Sequence, residues 1–273
     1  MTQTLHIRHV TTYEYDAPVS YGLQQLRVTP KSRPGQRIVN WETKVHGGKL
    51  EVTFDDSHAN RVQLVSLNEG VQKVEIIAGG EVEMSDDSGI IGEQGGFMPL
   101  WMFLRPTDLT RRGSATQALA REVRRIEDQL DQMHALSKAV RESVAYDTGD
   151  MSVTRTAEES ASSGVGVCQD HAHIFCTAAR LLERPARYVS GYLKMNDREE
   201  QTATHAWAEA YVDGLGWVGF DISNGYSPDT RYCRVATGLD YSDAAPISGI
   251  RQGAGVETMN VELRVSSMAQ AQQ

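Results

Sequence analysis

The feature that most narrows the fold is a change of hydrophobic period partway along the chain. From Leu5 to about Met84, β-branched, aromatic and aliphatic residues alternate in short runs: Leu5–Tyr15, Leu23–Thr29, Ile38–Val45, Leu50–Phe54, Arg61–Leu67 and Val71–Ile77. Pro18, Pro30, Pro34-Gly35, Gly47-Gly48, Asn60 and Gly79-Gly80 punctuate them. Closely spaced strands divided by turn residues predict an antiparallel β-sandwich. From Leu119 the spacing becomes three and four, through Val123, Ile126, Leu130, Met133, Leu136, Val140 and Val144, which predicts one or two amphipathic helices. Their opposite face, with Arg121, Arg124, Arg125, Glu127 and Asp128, reads as solvated. Between the two regimes lie a polar stretch, Ser85–Gly96, and an apolar one, Phe97–Pro106, too short for a membrane span and read as a connector packed between two halves. The expected division is a β-sandwich domain over 1–108 and a second domain over 109–273.

The second half mixes both periods. Thr156 and Glu159 have the spacing of a capping box. Val167, His171, Phe175, Ala178 and Leu182 mark a helix with one buried stripe. Strands are expected over Arg187–Leu193, Thr202–Val212, Trp217–Ile222 and Tyr232–Thr237, then a loop over Gly238–Gly253, a last strand near Glu257–Val265 and a frayed end from Ser266. Helices packed on antiparallel strands make the class α+β.

The chemistry concentrates where Gly164 and Gly166 lead into Cys168. A thiol in the first turn of a helix feels unpaired N–H groups and the positive end of the macrodipole, which favour thiolate. A cysteine nucleophile needs a base and a group that orients the base. His205 lies on one expected strand and Asp221 ends the next. If the two strands form a hairpin about Gly214, these residues are diagonal neighbours at one end of the sheet. Each has a duller reading alone: a buried cysteine, a hydrogen-bonded strand histidine, a turn aspartate.

Net charge is −9, with no Lys/Arg cluster, which argues against a nucleic-acid surface. No apolar run has signal-peptide or membrane-span length, so no membrane role is expected. Three irregularly spaced cysteines make no disulfide framework; a cytoplasmic, reducing location is expected. Cys168, His171, His173 and Cys176 invite a metal reading, but successive helical residues turn by about 100°, so His173 and Cys176 point away from the other two. No metal or other cofactor is expected. His6, His9, His46 and His58 sit on separate strands or loops and form no cluster.

The runs Gly166-Val-Cys168-Gln-Asp-His-Ala172, Pro185-Ala-Arg-Tyr-Val-Ser-Gly-Tyr192, His205-Ala-Trp-Ala-Glu-Ala-Tyr211 and Gly216-Trp-Val-Gly-Phe-Asp221 resemble the transglutaminase-like superfamily, in its bacterial cysteine-peptidase-like branch. Gly238–Pro246 continues the likeness. Tyr13–Val19, Leu26–Pro30 and Ala59–Val62 are similar to the β domain that precedes the core in that branch. The resemblance implies a papain-like core, with Cys168 as nucleophile, His205 as base and then acid, and Asp221 orienting His205. It also implies a peptide or protein amide as substrate and a thioester intermediate. Many relatives have Asp-Pro-Thr-Asn where this chain has Asp221-Ile-Ser-Asn224; the carboxylate is kept. Hydrolysis, acyl transfer from glutamine to an amine, and a non-catalytic interaction module all stay open at this point. So does the β domain's role: walling the cleft, self-association or partner binding.

Overall fold

The computed structural model describes residues 2–93, 98–149, 153–253 and 255–268. Phe97 of the expected connector, the end of the polar stretch before it and residues 269–273 of the expected frayed tail lie outside the described residues. Six strands open the chain: β1 Thr2–Val19, β2 Tyr21–Thr29, β3 Gln36–His46, β4 Gly48–Asp55, β5 Arg61–Leu67 and β6 Val71–Ser85. A short β7, Ile90–Gly92, and a 3-10 turn, Leu100–Leu104, lead to helices α1 Ser114–Val123 and α2 Gln129–Ser143. Then follow β8 Ala145–Tyr146, α3 Ala157–Ser163, β9 Val165–Gly166, α4 Cys168–Leu181, β10 Ala186–Leu193, β11 Glu200–Gln201, β12 His205–Val212, β13 Gly216–Phe220 and β14 Tyr232–Gly238. A short helix α5 Tyr241–Ala244 and two strands, β15 Ile247–Gln252 and β16 Glu257–Met268, end the fold.

The strands form three larger antiparallel sheets. In order, these are β11-β16-β1-β6-β3, β15-β2-β5-β4 and the core sheet β14-β10-β12-β13-β7. The pairings do not follow a single cut at residue 108. β7, from the first stretch, extends the core sheet, whereas β15 and β16, from the second, extend the N-terminal sheets. The expected loop over Gly238–Gly253 thus contains a strand, because Ile247–Gln252 finds a partner in β2 that local sequence does not reveal.

One face of the longest sheet does two jobs. Alternation puts Leu5, Ile7, Tyr13 and Tyr15 of β1 on the same side. Leu5 and Ile7, with Val82 and Met84, pack on Tyr192, Cys233 and Val235 of the core sheet. Tyr13 and Tyr15, with Val74, Ile76 and Ala78, pack on Leu26, Val28, Val65 and Leu67 of the second sheet. Gly79 and Gly80 do not end a strand, as their type suggests; they lie within β6 between these two clusters. A Cβ on Gly79 would come 2.5 Å from the Ile7 carbonyl oxygen, and one on Gly80 2.2 Å from that of Asn40, so they admit close neighbouring strands.

The other face of the core sheet carries the helices. Ala206, Ala208 and Ala210 let α4 approach β12 closely, and Leu119, Val123, Met133, Leu136 and Val140 close the cluster from α1 and α2. α4 is buried on nearly every side rather than along one stripe, because it lies between that sheet and the other helices. Of the connector, Phe103 is buried but Trp101 is exposed, since one helical turn presents only one side to the interior. Arg180, at the end of α4, donates to the carbonyls of Phe103, Ala186 and Leu239 and to Thr110 Oγ1, tying connector to core. No helix among the described residues is long and apolar enough to cross a membrane.

β14 is an edge strand, and two amides from the N-terminal half cover its backbone. Asn60 donates to the Thr237 carbonyl at 2.7 Å and accepts from the Thr237 N–H at 2.8 Å. Gln36 donates to the Arg234 carbonyl at 2.9 Å and accepts from its N–H at 2.8 Å. Each side chain imitates one residue of a pairing strand, which caps an edge that would otherwise be open. Asn60→Ala leaves the Thr237 amide and carbonyl buried without partners and is expected to cost about 1–3 kcal/mol, checked by urea denaturation.

Candidate active site

The approach to Cys168 is built from local rules. Glu159 accepts from the Thr156 N–H at 2.8 Å while Thr156 Oγ1 accepts from the Glu159 N–H at 3.2 Å, the expected capping box at the start of α3. Gly164 ends that helix at φ 71°, in the left-handed region that favours glycine. The next two residues pair in parallel with β8. At Gly166 the constraint is space: a Cβ would stand 2.7 Å from that of Asp170. Asp170 accepts from the Val167 N–H and from the Ser160 hydroxyl, each at 2.9 Å. It thereby caps α4 and makes Cys168, half-buried, the first helical residue.

His205 opens β12 and Asp221 follows β13. Their register pairs Ala208 with Phe220, so one further step sets Asp221 opposite Trp207 and puts His205 on the diagonal. His205 Nε2 lies 2.6 Å from Asp221 Oδ2. Cys168 stands near enough to the same ring to contribute to its pKa. Burial alone would depress the imidazole pKa, but the Asp221 charge and hydrogen bond, aided by Cys168, raise it to about 10. Burial would likewise raise the Asp221 pKa; the His205 charge and hydrogen bonds from His205, Tyr232 and Asn224 hold it below the usual range. The pair is therefore imidazolium and carboxylate at neutral pH.

Of the three residues singled out from sequence, His205 and Asp221 are in contact and Cys168 is near enough to act on the imidazole. Others around them were not singled out. Asp221 Oδ2 also accepts from the Tyr232 hydroxyl and from Asn224 Nδ2, both at 2.6 Å, and Oδ1 accepts from the Asn224 N–H at 3.1 Å. Trp207 stacks beside His205, with ring centroids 6.2 Å apart; its place two residues along the same strand could have signalled this. Tyr146 lies next to the approach strand, its pKa pushed up to about 12 by burial and then by Cys168 and Asp221, so its hydroxyl stays protonated there. Tyr146 and Tyr232 are delivered by distant elements, and spacing holds no trace of them.

His171 borders the site with Nδ1 2.8 Å from Ser223 Oγ and Nε2 3.0 Å from the Val144 carbonyl oxygen. His173 points elsewhere, accepting at Nε2 from the Tyr241 N–H, with burial pulling its pKa down to about 3. His9 is packed between the halves, 3.0 Å from the Tyr192 hydroxyl. Cys176 and Cys233 are fully buried, and burial pushes both thiols up to about 12.

The raised His205 pKa has a signed consequence for folding. Its stabilising contribution is complete below the unfolded value near 6.5 and is lost as pH rises through about 10. The stability gap between the natural protein and His205→Gln should therefore shrink between pH 6.5 and 10, measured by urea denaturation across that range.

Residues 117–222 match the family described as "Transglutaminase-like superfamily", and residues 5–83 match the "Bacterial transglutaminase-like N-terminal region". The uncharacterized protein ML0607 of Mycobacterium leprae (strain TN) is 23% identical over 293 residues, which cover 97% of this chain and 99% of that protein. Rv2569c of Mycobacterium tuberculosis (strain ATCC 25618 / H37Rv), also uncharacterized, is 24% identical, covering 91% and 88%. Among solved structures, a "Putative Cysteine Protease" from Cytophaga hutchinsonii superposes with a TM-score of 0.80 at 22% identity, covering 100% of this chain and 93% of that one. At that identity the likeness is one of fold. The matched segments follow the order of the β region and the helix-bearing core: the chain carries a transglutaminase-like core over residues 117–222 behind a bacterial transglutaminase-like N-terminal region over residues 5–83.

Proposed function

We propose that the protein is a cysteine-dependent amide hydrolase acting on peptide or protein substrates, with Cys168 as nucleophile, His205 as base and then acid, and Asp221 as the residue that orients His205. The observation that carries this reading is the imidazole of His205 held 2.6 Å from a buried carboxylate, with the half-buried thiol of Cys168 near enough to act on its charge. On this reading the core is papain-like and the N-terminal sheets form a sandwich that backs it.

The steps balance with these groups alone. The Cys168 sulfur, its proton held by His205, adds to the amide carbonyl carbon. The tetrahedral oxyanion needs donors. The Cys168 N–H is the first of these, since an opening helical residue has no intrahelical acceptor for it. As the C–N bond breaks, His205 returns its proton to the leaving amine and a thioester remains. Water, deprotonated by His205, then attacks the thioester and releases the acid and the free thiol. Tyr232 and Asn224 act as positioning residues through Asp221. Three free cysteines suit a reducing, cytoplasmic location, which belongs to the same proposal.

Cys168→Ala should lower turnover of a peptide amide at least about 10³-fold with folding intact, His205→Ala should lower it as far and also destabilise the fold by leaving the buried Asp221 charge without its cation, and Asp221→Ala should lower turnover less completely. Iodoacetamide should label Cys168 well ahead of Cys176 and Cys233, checked by peptide mass mapping. Wild-type turnover in Cys168→Ala would remove the mechanism. Incubation with a glutamine peptide and a labelled amine reads the fate of the thioester: release to water is expected, and covalent incorporation of the amine would mark acyl transfer instead.

A further inference from the structure

Away from Cys168, His205 and Asp221, a cavity of about 600 Å³ opens between the N-terminal sheets and the core sheet. None of those three residues lines it. Its distinctive feature is a group of guanidinium ions around one carboxylate. Glu209, on β12 and fully buried, takes Arg187 Nε on Oε2 at 2.5 Å and Arg234 Nε on Oε1 at 2.8 Å. With both oxygens engaged, Arg187 Nη2 has no hydrogen-bond partner, although the guanidinium lies 3.9 Å from the Trp217 ring centroid, and neither Nε nor Nη1 of Arg33 has one; all three atoms are shielded from solvent. Buried guanidinium donors without acceptors are costly to a fold.

The charges facing the group do not supply the missing acceptors. Asp87 and Glu209 are the carboxylates that act on Arg33, and Glu93 lines the cavity, yet none reaches those three nitrogens. Lys31 and His58, also in the lining, are paired with Asp55 and Asp243. Burial, with Arg234 as a like charge, brings the Arg33 pKa down to about 10; burial brings that of Arg187 down to about 9. The backbone holding Arg33 is rigid. Arg33 and Gln36 exchange backbone hydrogen bonds, and the Gln36 side chain is clamped to β14. The lining also includes the apolar side chains of Met98, Leu100 and Phe103. A cavity of this size with a few convergent polar groups on an apolar wall has the make-up of a small-molecule site.

We propose that this cavity binds a small organic anion, its oxyanion head accepting from Arg33 and Arg187 and its apolar body lying against Phe103, Met98 and Leu100. Carboxylate and phosphate share this recognition chemistry, because a guanidinium fork matches either.

The test uses the full chain, with sodium benzoate and phenyl phosphate as probes and chloride matching the ionic strength. Either probe should raise the Tm, and calorimetry should give a Kd that weakens at least about tenfold in Arg33→Met. The head group is named by the probe with the lower Kd. Without probe, Arg33→Met should melt at or above the temperature of the natural protein, since it removes unpaired buried donors. Arg33→Lys, which keeps the charge and loses the fork, should bind with intermediate affinity. Absence of any Tm change with both probes would overturn the proposal, as would equal Kd values in the natural protein and Arg33→Met. Neither result bears on turnover at Cys168.

Discussion

A carboxylate with no exposure to water stands at the end of β13, and the surroundings of the site are arranged to keep it ionised. Removing such a group from water costs several kcal/mol, which an unpaired Asp221 would avoid by taking up a proton. Three donors converge on one of its oxygens at 2.6 Å: an imidazolium, a phenol and a side-chain amide. They come from β12, β14 and the turn after β13, so the ion pair forms only when the core sheet is assembled. The fold and the chemistry of the site rest on the same contact. His205 is fixed in ring orientation and charge by these contacts, and Cys168 stands nearby at the start of a helix that Asp170 caps.

Environment, rather than residue type, separates the three thiols. Cys176 and Cys233 are sealed in apolar clusters, where burial disfavours the anion. Cys168 alone is half-exposed, at a helix start and beside an imidazolium. Glu209 shows the same physics away from the site: Arg187 and Arg234 hold its pKa down to about 2 against the effect of burial. There, however, cations outnumber the acceptors within reach, and the arginines of the group also line a cavity.

The union of the two halves follows from strand length. β1 has 18 residues and β6 has 15, long enough for one sheet face to cover the core sheet at one end and the second sheet at the other. Glycines lie between the two clusters, where neighbouring backbones crowd. Asn60 and Gln36 finish the junction by occupying the free edge of β14. The C-terminal strands close it from the other direction, β16 along β1 and β15 along β2.

Much of this was legible in the amino-acid sequence. Alternation and turn residues gave six strands, a three-and-four spacing gave α1 and α2, and Thr156 with Glu159 gave the start of α3, because each depends on neighbours within a few residues. Cys168, His205 and Asp221 could also be chosen, since a glycine-led cysteine and a hairpin diagonal are short-range patterns. What sequence did not hold was anything set by partners far along the chain. Ile247–Gln252 reads as loop until β2 offers an edge; Gly79-Gly80 reads as a turn until β1 and β3 flank it; Tyr232 and Tyr146 reach the site only by tertiary packing. The accumulation of Arg33, Arg187 and Arg234 around Glu209 is of the same kind. Local propensity determined the elements and nominated the chemistry, whereas long-range pairing and burial decided which charges meet, and so which groups are ionised where they stand.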